Sequence, residues 1–87
     1  MHEGKVAQYV FDLVKETAEE DLDIKGKKIT ELTFAMARPF SVVPDSFEFY
    51  FTELVKNTDL EGVLLHFEES EDLEFGAFYL SGIEVED

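Results

Sequence analysis

The residues most able to do chemistry are the first three of the sequence, Met1, His2 and Glu3. The Met1 amine, the His2 backbone nitrogen and the His2 imidazole can close a five-membered and a six-membered chelate ring around one metal ion. These three nitrogens would lie nearly in a plane and leave a fourth position for Glu3 or for a partner ligand. Planar nitrogen coordination favours Ni(II) or Cu(II) over Zn(II), which prefers a tetrahedron.

Two protonation equilibria would control metal binding at these residues. A free α-amine has an ordinary pKa of about 7.7–8.0 and an imidazole one of about 6.5, and both groups must lose a proton to bind metal. We therefore expect binding to collapse in mild acid. Any chain that begins Met-His offers the same atoms, so the motif alone leaves open whether these residues form a site.

The rest of the sequence offers little other site chemistry. It contains no cysteine, which removes disulfides, thiolate metal sites and cysteine nucleophiles. The five glycines are isolated from one another, so they form no glycine-rich phosphate loop. His66 falls on the polar face of a predicted strand, where a lone histidine is usually a surface residue. With 21 carboxylates in the chain, some acids are neighbours by chance, so such pairs do not indicate a catalytic acid and base. No nucleophile stands beside a base either, and we therefore do not expect an enzyme.

The composition indicates one small and acidic globular domain. With 87 residues, of which 45% are hydrophobic, the chain is expected to form a single domain over residues 1–87. Its formal net charge of −14 disfavours nucleic acid and anionic membrane surfaces as partners. Charges interrupt the apolar runs, so neither a secretory leader nor a membrane span is predicted, and we expect a cytoplasmic protein. The oligomeric state is left open.

Two segments show the periodicity of amphipathic helices. The first runs from Lys5 to about Glu20, and the second begins at Pro44, has Lys56 in its last turn and is ended by Asn57-Thr58-Asp59. Proline suits the first helical position, because its missing N–H would be unpaired there in any case. The residues predicted to form the two apolar stripes are Val6, Tyr9, Val10, Leu13 and Val14 in the first helix and Phe47, Tyr50, Phe51, Leu54 and Val55 in the second.

Three further segments alternate as strands do, namely "KKITELTFAMA", "GVLLHFEES" and "AFYLSGIEVE". In the third, the apolar phase shifts, which predicts a bulge at Ser81-Gly82. Only "ESEDLEF" separates the last two segments, and this short connection predicts an antiparallel hairpin. The expected fold is an α+β two-layer sandwich in the order α-β-α-β-β, with two helices packed on one face of a three-stranded sheet.

Three stretches of the sequence resemble a known family. "MHEGKVAQYVFDLVKE" has its Met-His-Glu start followed by an amphipathic helix. "SVVPDSFEFYFTELVKNTDLEGVLLHFEE" is similar to its second helix and the following strand, and "FYLSGIEVED" to its closing strand. The family is that of the hydrogenase nickel-insertion protein HypA. The matching features are Val43-Pro44-Asp45, the aromatic residues Phe47, Phe49 and Phe51, Asn57-Thr58, Glu61-Gly62 and Ser81-Gly82-Ile83-Glu84.

The chain also departs from that family's pattern. HypA proteins carry a zinc domain with two CxxC pairs between the last two strands, where this sequence has only "ESEDLEF". The chain thus resembles the nickel-binding domain alone, with the insertion replaced by a tight hairpin, and no zinc is expected. In "MARPFSV", Ala37-Arg38-Pro39 stands where the family usually has a glycine in the turn.

The resemblance implies a nickel metallochaperone for the maturation of a nickel enzyme such as [NiFe]-hydrogenase. It implies Ni(II) bound by the terminal amine of Met1, by His2 and by Glu3, and a maturation GTPase or a nickel-enzyme precursor as the partner. An alternative stays open, in which the chain is a metal-independent protein-interaction module derived from the same fold. The acidic charge of −14 would then serve docking to a basic surface.

Overall fold

A computed structural model describes residues 3–87, which form two helices and three strands in the order α-β-α-β-β. The α+β class and the element order confirm the prediction. Met1 and His2, two of the three predicted metal ligands, lie outside the described residues. The elements are α1 (Glu3–Glu20), β1 (Lys28–Met36), α2 (Pro44–Leu54), β2 (Leu64–Glu69) and β3 (Phe78–Glu86).

The two helices bury narrower stripes than the sequence predicts. In α1 the buried residues are Ala7, Val10 and Val14, which recur at helical spacing on one face. Tyr9 lies one position from that face and is 68% exposed, so its placement in the buried stripe is wrong. In α2 only Phe47 and Phe51 are buried, whereas Tyr50 is exposed. A helix of this size buries only the side chains that point at the sheet, and the neighbouring apolar positions stay at the rim.

The sheet has the strand order β2-β1-β3, with β1 in the centre. β2 pairs with β1 in parallel, and β3 pairs with it in antiparallel orientation. The parallel pairing follows from α2, which carries the chain back along the sheet between β1 and β2. The same register places Phe34 of β1 beside Phe67 of β2 and Leu80 of β3.

The predicted antiparallel hairpin between the second and third strands is therefore wrong. β2 and β3 lie on opposite edges of the sheet, and residues 70–77 cross the end of β1 to join them. Two strand spacings of about 4.8 Å separate those edges, which a segment of this length spans at about 3.3 Å per residue. Both ends of the crossing segment are hydrogen-bonded close to the end of β1. Ser70 N–H donates to the carbonyl of Met36, the last residue of β1, at 2.8 Å, and the N–H of the next residue, Ala37, donates to the Ala77 carbonyl at 3.1 Å.

Two bulges adjust the pairing of β1 with β3. Thr33 pairs with Gly82 and Phe34 with Leu80, so Ser81 is the extra residue, and the predicted bulge at Ser81-Gly82 is confirmed. A second irregularity lies at Thr30 of β1, which has no partner in the register. This second bulge was not predicted.

Aromatic side chains fill the centre of the core, between the helices and one face of the sheet. The Phe34 ring meets that of Phe47 edge-on at 5.2 Å and stacks on Phe67 at 5.5 Å and on Phe78 at 5.1 Å. Ring pairs at such distances stabilise a fold by about 0.5–1.5 kcal/mol each beyond their buried area. Buried residues of both helices join this single core, as the two-layer prediction requires: Ala7, Val10, Val14, Ile29, Leu32, Phe34, Val42, Phe47, Phe51, Val55 and Leu60. Within residues 3–87, neither helix has the length and hydropathy needed to cross a membrane.

Candidate metal centre

Glu3, the one predicted ligand that the structure describes, is the first residue of α1 and is half-buried. Its carboxylate oxygen Oε2 accepts a hydrogen bond from the backbone N–H of Val43 at 3.3 Å. Val43 is the N-cap residue of α2 and has no side-chain oxygen with which to cap that helix. Glu3 therefore supplies from α1 the negative group that the N-terminus of α2 favours.

The first turn of α1 lies against an aromatic side chain of α2. A Cβ atom added at Gly4 would lie 3.7 Å from Cδ1 and 3.8 Å from Cε1 of Tyr50. The Tyr50 ring in turn meets Phe49 edge-on, with 5.5 Å between ring centroids. The start of α1 is thus held on α2 by one polar contact and one aromatic contact, and this fixes where Glu3 projects.

The surface around Glu3 is apolar and open. Val43 is 54% exposed and Phe49 is 63% exposed, and Tyr50 is also exposed. Large apolar groups that share one exposed area are typical of surfaces that contact another protein. We refer to Val43, Phe49 and Tyr50 as the aromatic rim.

Over the part of the chain that the structure describes, no three His, Cys, Asp or Glu side chains converge to hold a metal ion. Glu3 can therefore belong to a metal site only together with groups outside residues 3–87, which is where Met1 and His2 lie. Sequence reasoning selected Glu3 but missed Val43 as its anchor. The one available signal was that valine is a poor N-cap residue, so another group had to cap α2.

His66 lies apart from Glu3, on the exposed face of β2. Its Nε2 atom is 2.5 Å from Oε1 of Glu31 on the neighbouring strand. Both side chains are partly exposed to solvent. This pair supports the prediction that His66 is a surface residue.

Comparison with known proteins identifies the family. Residues 1–73 match the family model described as "Hydrogenase/urease nickel incorporation, metallochaperone, hypA". The chain is also 37% identical over 67 residues to the hydrogenase maturation factor HypA of Caldanaerobacter subterraneus subsp. tengcongensis. That alignment covers 77% of this chain and 56% of the relative, so the chain spans little more than half of the relative's length. With a family match that takes in both helices and the first two strands, the chain belongs to the HypA family of nickel-incorporation metallochaperones.

Proposed function

We propose that this chain carries Ni(II) at the start of α1, bound by the Met1 amine, the His2 backbone and imidazole nitrogens, and Glu3. The ion would pass to a maturation GTPase or to the precursor of a nickel enzyme such as [NiFe]-hydrogenase, in the cytoplasm. Membership of the HypA family supports the nickel-incorporation role. The observation that carries the choice of residues is the anchored carboxylate of Glu3.

The anchor leaves part of the Glu3 carboxylate available to a cation. Oε2 is engaged by Val43, whereas Oε1 has no hydrogen-bond partner among residues 3–87. A carboxylate held by one oxygen loses less side-chain freedom when its other oxygen binds a metal, so less entropy opposes binding. The His2 backbone nitrogen would bind as the deprotonated amide, its proton passing to solvent. Three nitrogens from the first two residues and one oxygen from Glu3 would then complete a four-ligand set suited to Ni(II).

The charge of the chain favours the arrival of a divalent cation. A formal net charge of −14 raises the local concentration of cations around the molecule. The same charge would not retain the ion by itself, because salt screens exposed charges beyond about 8 Å at physiological ionic strength. Retention then depends on the chelate at Met1 and His2.

Release to a recipient needs a contact surface beside the ion, and the aromatic rim supplies one. Tyr50 packs on the turn that bears Glu3, and Val43 holds its carboxylate. A recipient that covers the rim would compete with both contacts and would then replace Glu3 as the fourth ligand of the ion. The rim therefore supports transfer by direct contact in preference to release into solution.

Calorimetric titration of NiCl2 into the untagged chain with its native N-terminus tests the proposal. We expect one tight site at neutral pH, loss of that site in His2→Ala, and about tenfold weaker binding in Glu3→Gln, which corresponds to about 1.4 kcal/mol. Glu16→Gln is the matched control, because Glu16 is an exposed acid on the same helix and carries the same charge change. Unchanged affinity in His2→Ala, or equal losses in Glu3→Gln and Glu16→Gln, would refute the site.

A second function, the metal-independent interaction module, is favoured by the same exposed rim. Under that hypothesis a maturation partner binds equally well with and without nickel, and high salt weakens the complex because the acidic surface contributes. Under the metallochaperone proposal, nickel-loaded and nickel-free chains differ in affinity for the recipient. Pull-down of a candidate GTPase with and without Ni(II), at low and high salt, separates the two functions.

A further inference from the structure

Four of the chain's seven basic residues line one concave site, remote in sequence from the N-terminal residues. The site has a volume of about 550 Å³ and is open to solvent on one side. We call it the lysine pocket. Its basic residues are Lys15, Lys25, Lys27 and Lys28.

The end of α1 and the turn before β1 bring these lysines together. Lys15 belongs to α1 and Lys28 begins β1, while the other two lie in the turn between these elements. Asp21 shapes the turn, because its side chain accepts a hydrogen bond from Asp23 N–H at 2.9 Å and its carbonyl accepts one from Lys25 N–H at 2.9 Å. Gly26 has a φ of +81°, a conformation that glycine adopts without strain, and an added Cβ there would meet open space.

The charge of the lysine pocket is opposite to that of the molecule. Its four lysines outnumber the two acids that line it, Glu19 and Asp59, by two charges, and the contact of Asp87 with Lys27 reduces this excess to one. Because the whole chain carries −14, the residues outside the pocket carry sixteen net negative charges. A uniform solubilising coat does not explain a basic concavity in so acidic a chain.

Two of these four lysines already form ion pairs with carboxylates of the chain. Lys15 Nζ lies 2.7 Å from Oδ1 of Asp59, and Lys27 Nζ lies 2.9 Å from Oδ1 of Asp87. The contact with Asp87 raises the pKa of Lys27, first through the hydrogen bond and then through charge attraction. Lys25 and Lys28 form no ion pair within residues 3–87.

Beneath the lysines the pocket has an apolar floor, formed by Ala18, Ile24, Ile29 and Leu60. Ile29 and Leu60 belong to the buried core, and Ala18 and Ile24 pack against it. A volume of several hundred Å³ with an apolar base and a few convergent charges is typical of small-molecule sites.

We propose that the lysine pocket binds a small multivalent oxyanion, either a phosphate-bearing molecule or a polycarboxylate. The unpaired lysines Lys25 and Lys28 supply the first contacts, and Lys27 joins them when the anion displaces Asp87. Lysine binds such groups as a compact point charge with rotatable donors. A large acidic polymer would extend beyond the pocket and be repelled by the negative charge of the rest of the molecule. A small anion is repelled less, because salt screens charges that lie more than about 8 Å away from it.

Titration of the 15N-labelled full chain with sodium pyrophosphate, citrate and acetate, at an ionic strength of about 0.15 M and without nickel, tests the proposal by NMR. We expect shifts centred on the amides of residues 25–28, at least tenfold tighter apparent binding of pyrophosphate or citrate than of monovalent acetate, and no shift at Gly4. Tighter binding of pyrophosphate assigns the pocket to phosphate-bearing molecules, and tighter binding of citrate assigns it to polycarboxylates. No binding of either anion at millimolar concentration, or shifts spread evenly over the surface, would overturn it.

Matched variants distinguish specific binding in the lysine pocket from a general effect of net charge on anion affinity. The pair Lys25→Gln and Lys28→Gln should together weaken binding about five- to tenfold, as expected for two exposed charge contacts. The same charge change at Lys5→Gln and Lys56→Gln, which lie outside the pocket, should leave affinity nearly unchanged. Asp87→Asn should strengthen binding about twofold to threefold, because it frees Lys27. Equal effects of the two lysine pairs would refute a specific site.

Discussion

Glu3 and Val43 are forty residues apart in sequence, yet the Glu3 carboxylate accepts a hydrogen bond from the backbone N–H of Val43. This one contact joins the first residue of α1 to the residue that begins α2. The predicted nickel ligand is therefore also a helix cap, and its two roles share one carboxylate. Changes at Glu3 should consequently alter stability and metal affinity together.

Glu3→Gln should lower the free energy of unfolding by about 0.5–1 kcal/mol, because a neutral amide interacts more weakly with the positive end of α2. Urea unfolding followed by circular dichroism, without metal, measures the effect. Glu16→Gln, an exposed site on the same helix, should change stability by less than about 0.5 kcal/mol. A Glu3→Gln chain as stable as the wild type would show that the contact with Val43 does not cap α2.

Nickel affinity should fall steeply as the pH falls from about 8 to about 6. Protons compete with Ni(II) for the amine and the imidazole, whose ordinary pKa values are about 7.7–8.0 and about 6.5. Titrations at a series of pH values provide the measurement. Acetylation of the N-terminus should abolish tight binding at every pH, since it removes the amine. Affinity independent of pH over this range would place the metal on other ligands.

Phe34→Leu and Phe49→Leu should differ in their effect on the free energy of unfolding, because the first residue lies in the core and the second on the surface. Phe34 is fully buried and touches three other rings, so its truncation should destabilise the fold by about 1–2 kcal/mol. Phe49 belongs to the exposed rim, so its truncation should change stability by less than about 0.5 kcal/mol. Under the transfer proposal, Phe49→Leu should nevertheless weaken binding of the recipient while leaving nickel affinity unchanged. Equal stability losses would contradict the assignment of the rim.

The ion pair between Lys15 and Asp59 should contribute a small stability that disappears in acid. The hydrogen bond from Lys15 lowers the pKa of Asp59 below its ordinary value of 3.8. A lowered pKa favours the folded state above the ordinary value, and the gain is lost as the pH falls below 3.8 through the folded-state pKa. Asp59 is 74% exposed, which limits the gain to about 0.5 kcal/mol.

Urea unfolding of Lys15→Gln against the wild type at about pH 6 and about pH 2 checks this expectation. The difference between the two chains should be present at the higher pH and absent at the lower one. Lys56→Gln serves as the control, since Lys56 pairs with Glu53, three positions earlier in the sequence, and not with Asp59. A difference that persists in acid would mean that Lys15 stabilises the fold through packing of its aliphatic stem.

Features of this fold could be predicted from the sequence where neighbouring residues alone determine them. Leu32, Phe34 and Met36 alternate in the sequence and are all buried, because a strand sends every second side chain to one face. Pro44 begins α2 as its missing N–H suggests. The position of Ser81 in a bulge was readable because the apolar phase shifts around it.

The predictions that were wrong concern how the elements are arranged relative to one another. The segment between Glu69 and Phe78 is short enough for a hairpin, yet β1 intervenes because α2 has already placed β2 on its other side. Tyr50 has the spacing of a buried residue but lies beyond the edge of the contact face. The partner of Glu3 is a backbone N–H, which every residue but proline carries, so the poor capping ability of Val43 indicated that another group caps α2 but not that this group is Glu3.

The central position of β1 has a consequence for how the chain assembles. The family match ends at residue 73, before the first residue of β3, so the matched part contains only one of the two strands that flank β1. During synthesis, β1 and β2 can pair as soon as α2 has formed, but the opposite edge of β1 stays unpaired until residues 78–86 emerge. In that interval, the strand that carries Leu32 and Phe34 is open to pairing with another nascent chain. The last strand thus closes the sheet and protects its most buried strand from aggregation.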